Sequence, residues 1–193
     1  MKKIILASAS PRRKEILGIT GLKFGVCVSD YEEDLELALR PRELARFLSR
    51  KKAEAVSGKY RNALIIAADT FIVLKNTILG KPHTDREAEK MLGLLNGKAH
   101  SVITGFTILD TGTGKKLSRS VETKVFFKRL SKEEIRAYVR SKEPLDKAGA
   151  YAIQGLGAVF IERIEGDYLN VVGLPLCALT ECLKKFGVSV LIR

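Results

Sequence analysis

The chain has no tryptophan, and only two methionines, two histidines and three cysteines among its 193 residues. Cys27, Cys177 and Cys182 are odd in number and lack any C-x-x-C spacing, with only His83 and His100 to join them. Neither a disulfide framework nor a zinc site is supported by that pattern, and the thiols read as small buried hydrophobes. No apolar run approaches the roughly 20 residues of a membrane span. The N-terminal run covers residues 4–7 and stops short of Pro11, too brief for a signal-peptide core. A soluble, cytoplasmic protein is the expectation. The patterns H-E-x-x-H and G-x-S-x-G are absent, which removes zincin and nucleophile-elbow chemistry. Gly80-Lys81, Gly97-Lys98 and Gly114-Lys115 each end like a P-loop, but none has the glycine required five positions earlier. Gly155-Leu156-Gly157 is followed by Phe160 where a dinucleotide fingerprint needs its last glycine.

What is present is positive charge. Lysine and arginine total 34 against 22 aspartates and glutamates, a formal charge of +12 that favours polyanions as partners. No acidic residue precedes Glu15, whereas Lys2, Lys3, Arg12, Arg13 and Lys14 do. The length suits one domain, taken as residues 1–193, or two lobes sharing a sheet.

The most informative segment is Leu6-Ala7-Ser8-Ala9-Ser10-Pro11-Arg12-Arg13. Residues 4–7 read as a buried strand, Ser8 and Ser10 offer cap oxygens, and Pro11 suits a first helical position. A helix N-terminus with two forked guanidinium groups suits a phosphate guest; a capped surface helix with solvated arginines fits the same residues.

Further along, residues 24–28 read as a strand followed by an acidic loop at 30–36. Pro41 starts a helix with Leu44, Phe47, Leu48 and Ala55 on one face and Arg50, Lys51 and Lys52 largely on the other. Residues 64–68 form a continuous apolar strand that ends at Asp69, and residues 71–74 pair with a return strand near Ile78 through Lys75-Asn76. Thr84 with Glu87 has a capping-box pattern ahead of Ala88, Met91, Leu92 and Leu95. Residues 100–110 and 115–129 predict a hairpin, and Ser131 with Glu134 opens a short helix. Residues 158–164 and 168–172 read as strands, and Pro175 starts a last helix with Leu176, Leu179 and Leu183 inward. The pattern is α/β with mixed strand pairing rather than a regular doubly wound sheet.

Asp69 is the strongest catalytic candidate, because an acid at a strand's C-terminal end is held rigidly where α/β sheets bind ligands, although an aspartate capping a turn would read alike. Lys81, between Gly80 and Pro82, sits on a stiff segment that can aim an ammonium at phosphate. Lys52 reads by default as solvated, Glu33 as one acid of a solvated loop, and Gln154 as a loop amide able to offer a donor and an acceptor to a base edge.

Four segments in order carry a resemblance. They are the Leu6–Arg13 run, Ala67-Ala68-Asp69-Thr70 with Gly80-Lys81-Pro82, the run from Ala148 to Gly155, and Asn170-Val171-Val172-Gly173-Leu174-Pro175-Leu176. Together they resemble the Maf family of nucleoside triphosphate pyrophosphatases over residues 4 to about 186. The resemblance implies an elongated mixed β-sheet flanked by helices, in two lobes with a central cleft, and dimers. It further implies hydrolysis of a nucleoside triphosphate between its α and β phosphates with a divalent cation, magnesium or manganese. By the same resemblance Asp69 is the proton acceptor and, with Glu33, a metal ligand. Ser8, Arg13, Lys52 and Lys81 grip phosphates, and Arg12, Thr70 and Gln154 side with the branch acting on dTTP and UTP. Asn76 stands where the family often has glycine, which asparagine's tolerance of positive φ should absorb. The rival readings are a basic nucleic-acid-binding regulator, which lacks any recognised binding motif here, and a nucleotide sensor without turnover. Neither nucleic acid nor membrane is an expected partner.

Overall fold

The computed structural model describes residues 2–191. Seven strands form one mixed sheet: β1 (Lys3–Leu6), β2 (Phe24–Val26), β3 (Ala63–Leu74), β4 (Thr77–Leu79), β5 (Ala99–Asp110), β6 (Lys116–Phe127) and β7 (Ile161–Glu165). Their order is β2-β1-β3-β5-β6-β7, with β4 paired to β3 off this path. β1 is parallel to both neighbours, Leu6 lying opposite Val26 and Ile66, while β3 with β4 and β6 with β7 are antiparallel. Among the described residues six α-helices accompany the sheet: α1 (Pro11–Gly18), α2 (Pro41–Ser57), α3 (Asp85–Leu95), α4 (Lys132–Arg140), α5 (Tyr168–Val172) and α6 (Leu176–Lys184). The expected α/β class with a mixed sheet is what the chain builds. Among the described residues, no helix is long and apolar enough to cross a membrane.

The chain divides into two compact units. The first runs to Asp69 and adds Thr104–Val121 and the residues from Gly173 onward; the second comprises Thr70–Ile103 and Glu122–Val172. In the first, Ile5, Ala7, Ala63, Ile65 and Ala67 pack against Ala53 and Val56 of α2. The alternation of β3 explains this, since residues 63, 65 and 67 share one face. In the second, Ile72, Leu92, Leu95, Phe127, Tyr138, Tyr151 and Phe160 share a core. His100 is buried there edge-on to Phe127 and Tyr151, its Nε2 2.8 Å from the Tyr151 hydroxyl.

Several local expectations hold for the physical reasons given. Pro41 opens α2, Ser131 and Glu134 complete a capping box, and Leu74 pairs with Thr77 across the Lys75-Asn76 turn. Thr84 Oγ1 accepts from the Glu87 amide, but the Glu87 carboxylate accepts from His83 N at 2.7 Å rather than from Thr84.

Others are corrected. Residues 168–172 are helical, not extended. Gly166 (φ 126) ends β7, and Asp167 Oδ1 accepts from the amides of Leu169 and Asn170, so a cap overrides the β-branched Val171 and Val172. Residues 156–160 take a 3₁₀ turn, which shortens the strand expected over 158–164 to Ile161–Glu165. β2 is likewise shorter than expected. The positive φ of the 75–76 turn falls on Lys75, not Asn76. Of the thiols only Cys182 is buried; Cys27 is half-buried and Cys177 exposed.

Candidate active site

Asp69 is not at the end of a strand. β3 continues five residues beyond it to Leu74, because residues 71–74 join the same strand instead of starting a new one. The rigidity argued for Asp69 survives on different grounds. The parallel register of β1 on β3 ends at Leu6 opposite Ile66, extended by the Ala7 amide to the Ile66 carbonyl at 2.7 Å, so Asp69 stands just beyond it. It shares a face with Ala63, Ile65 and Ala67, directed at α2, and is only 3% exposed.

What meets it there is Lys52. The inward stripe of α2 is Leu44, Leu48, Lys52 and Val56, each four residues apart, so Lys52 is buried in line with leucines rather than solvated beside Lys51. Ala55, expected inward, is exposed. Helix position is fixed by close contact. A Cβ on Gly105 of β5 would lie 2.1 Å from the Ala45 carbonyl oxygen, so only glycine allows α2 this near. One turn along, Ser49 Oγ and Thr107 Oγ1 share a hydrogen bond at 2.9 Å, and Thr107 Oγ1 lies 2.8 Å from Ser118 Oγ.

The Lys52 ammonium donates to Asp69 Oδ1 and, at 2.5 Å, to Glu33 Oε1. Two carboxylates thus share one cation, while Asp69 Oδ2 is buried with no hydrogen-bond partner. Burial pushes the Asp69 carboxyl above the ordinary range, the adjacent Glu33 reinforces this, and Lys52 and Arg13 oppose it without prevailing.

A second group converges from the N-terminal junction. Ser10 caps α1 by accepting from the Arg13 amide at 3.4 Å, and the Ser10 amide donates to Ser8 Oγ at 3.2 Å. The Arg13 guanidinium donates through Nε to the Gly173 carbonyl at 2.9 Å and through Nη1 to Ser8 Oγ at 3.2 Å. Burial lowers the Arg13 pKa, the fields of Asp69 and Glu33 raise it, and Arg12 lowers it further. Ser8, Arg13, Lys52, Glu33 and Asp69 therefore form one constellation in the first unit. It holds a helix N-terminus, an oriented guanidinium and a paired carboxylate, the chemistry of an anion site with a proton acceptor.

Thr70 follows Asp69 in β3, so the strand's alternation sends its side chain to the opposite face. Lys81, after β4, is exposed, and the carbonyl of its neighbour Gly80 accepts from the Gly149 amide at 2.8 Å. Gln154 is exposed at a bend in the second unit, and Arg12 is half-buried on α1.

Among the described residues, no three or more His, Cys, Asp or Glu side chains gather as a metal cage. A hard cation such as magnesium needs only one or two carboxylates when phosphate oxygens and water supply the remainder. The unpartnered Oδ2 of Asp69 and the neighbouring Glu33 fit that requirement.

A family model described as Maf-like protein matches residues 3–186. A dTTP/UTP pyrophosphatase of Methanosarcina barkeri is 51% identical over 98% of this chain and 97% of its own length. A dTTP/UTP pyrophosphatase of Methanococcoides burtonii is 50% identical over 98% of each, and one from Bacillus cereus is 46% identical over 98% of this chain and 93% of its own. The Staphylococcus aureus Ham1 protein superposes with a TM-score of 0.47 at 14% identity, over 65% of this chain and 72% of that one.

Proposed function

The chain belongs to the Maf family, and from that membership we propose that it hydrolyses dTTP and UTP to the nucleoside monophosphate and diphosphate. Relatives of near-equal length carrying that activity in their names support the reaction, and the buried Asp69 supports its chemistry.

One observation carries the mechanism. Asp69 has one oxygen fixed by Lys52 and the other unpartnered, on a carboxyl whose proton affinity is raised by burial. A base of raised pKa takes a proton from water more readily than an ordinary carboxylate near neutral pH. Water's oxygen bonds to phosphorus at the α–β bridge, its proton passes to the Asp69 carboxylate, and the bond to the bridging oxygen breaks as diphosphate departs. Lys52 holds the carboxylate in place, and Arg13, set by Ser8 and the Gly173 carbonyl, receives phosphate oxygens. When bound, magnesium or manganese would offset phosphate charge, with Glu33 and Asp69 as its protein ligands. Lys81 serves the phosphates, and Arg12, Thr70 and Gln154 serve the base, on the residue pattern of the dTTP and UTP branch.

The test is diphosphate release from dTTP, UTP, CTP, GTP and ATP with magnesium, with manganese and in excess chelator. Cation-dependent release from dTTP and UTP above the others is expected. Activity that ignores chelator, or that prefers purines, would overturn the cofactor or the substrate assignment respectively.

A further inference from the structure

Gly155-Leu156-Gly157 fails as a nucleotide fingerprint, yet both glycines sit where a side chain could not. Gly155 has φ 114, and a Cβ there would lie 2.6 Å from Glu143 Oε2. A Cβ on Gly157 would lie 2.6 Å from the Tyr138 hydroxyl and 2.5 Å from the Ala152 carbonyl oxygen. Gly155 is pressed against Glu143 and Gly157 against the Tyr138 hydroxyl, two side chains that hydrogen-bond to each other.

That pair ties the backbone on both sides of Gln154. The Glu143 carboxylate accepts from the amides of Leu156 at 3.0 Å and Gly157 at 3.1 Å, and from the Tyr138 hydroxyl at 2.8 Å. The same hydroxyl accepts from the Ala152 amide at 3.2 Å. Residues 153–155 are thus a short excursion whose entry is bonded to Tyr138 and whose exit is bonded to Glu143. Tyr138 is itself fixed, packed edge-on against Phe160 with ring centroids 4.7 Å apart. Partial burial pushes the Glu143 carboxyl up, but hydrogen bonds from Gly157, Leu156 and Tyr138 outweigh it and leave the group below its ordinary value.

We infer that Glu143 and Tyr138 are positioning residues for base selection, fixing the short backbone excursion from which Gln154 presents its amide to a pyrimidine edge. The inference rests on the proposed role of Gln154. An exposed glutamine on an unrestrained bend would have to order the bend on binding, and discrimination by paired hydrogen bonds would weaken. Glu143 takes no part in the chemical step, so its effect falls on KM and on substrate preference.

The experiment compares kcat and KM for UTP and GTP in the wild type, Glu143→Gln, Tyr138→Phe, Gln154→Ala and the Glu143→Gln/Gln154→Ala double variant. Hydrogen exchange at residues 152–157 and thermal melting accompany it. Loss of a matched hydrogen bond at a selective site predicts that Glu143→Gln lowers kcat/KM for UTP about tenfold, mainly through KM, with a smaller change for GTP. Amides 156 and 157 should exchange faster, and in the Gln154→Ala background the Glu143 change should add less than about twofold for UTP. Full additivity, or equal loss on both substrates, overturns the positioning role. If Gln154→Ala itself leaves the UTP to GTP preference intact, the reading of Gln154 fails instead. Should Glu143→Gln not fold, Tyr138→Phe carries the same comparison from the Ala152 side.

Discussion

Lys52 donates to one oxygen of Asp69 and leaves the other without a partner. The relationship is asymmetric by construction: the ammonium arrives from α2 on one side of a carboxylate otherwise enclosed by β3 and its neighbours. It makes a buried acid that is charge-compensated, rotationally fixed and still able to take one more ligand or proton.

Replacing Asp69 by asparagine keeps the shape and leaves Lys52 paired with Glu33. Turnover should fall by about 10²- to 10⁴-fold, the usual contribution of a general base, with the melting temperature little changed. Steady-state diphosphate release beside a thermal melt checks it. Near-normal rates in a folded variant would make Asp69 structural.

Lys52→Met should do more to stability than to shape. Removing one partner of a buried ion pair typically costs about 3–5 kcal/mol, because the remaining charge is uncompensated. Asp69 would respond by holding its proton to still higher pH, so the deficit in urea unfolding should shrink as the pH is lowered from 8 toward 5. A deficit independent of pH would argue against the pairing.

Gly105→Ala tests the seat of α2. The new Cβ would meet the Ala45 carbonyl, which must move, and overpacking of this kind costs about 1–3 kcal/mol. Because Lys52 rides on the same helix, turnover should fall with stability, whereas Gly58→Ala, whose Cβ would meet nothing within 4 Å, should change neither greatly.

His100 sets a pH dependence of its own. Burial pushes its pKa down from 6.5 to about 4. A depressed folded value means that protons favour the unfolded chain, so the stability is present above the unfolded pKa and is lost as pH falls through the folded one. Between pH 6.5 and 4 the loss should approach about 3 kcal/mol. Asp69, with its raised pKa, works in the opposite sense, so the His100→Gln variant isolates the histidine: its unfolding free energy should change less steeply over that window than the wild type's.

The parts of the fold that could be read from sequence were those set by local chemistry. Pro41, the Ser131 and Glu134 pair, and the hairpin through Lys75-Asn76 act within a few residues. Local pattern misleads where a distant contact decides. Val171 and Val172 favour a strand until Asp167 caps a helix, and residues 64–68 and 71–74 look like separate strands because Asp69 interrupts an apolar run. Lys52 was legible in principle, since it falls in the four-residue rhythm of Leu44, Leu48 and Val56. Its charge suggested the solvent face, and only the facing carboxylates explain its burial. Ser8, Arg13 and Asp69 are candidates on sequence and resemblance together and gather in one constellation, whereas Glu143 and Tyr138 carry no motif of their own and stand out only through the backbone they hold.

The most direct measurement is phosphorus NMR of the products of UTP hydrolysis by the wild type and by Asp69→Asn in the presence of magnesium. UMP and diphosphate should accumulate in equal amounts from the first turnovers, and both should vanish together in the variant. UDP with orthophosphate as the first products, or an unchanged rate in folded Asp69→Asn, would contradict cleavage at the α–β bridge by water activated at Asp69.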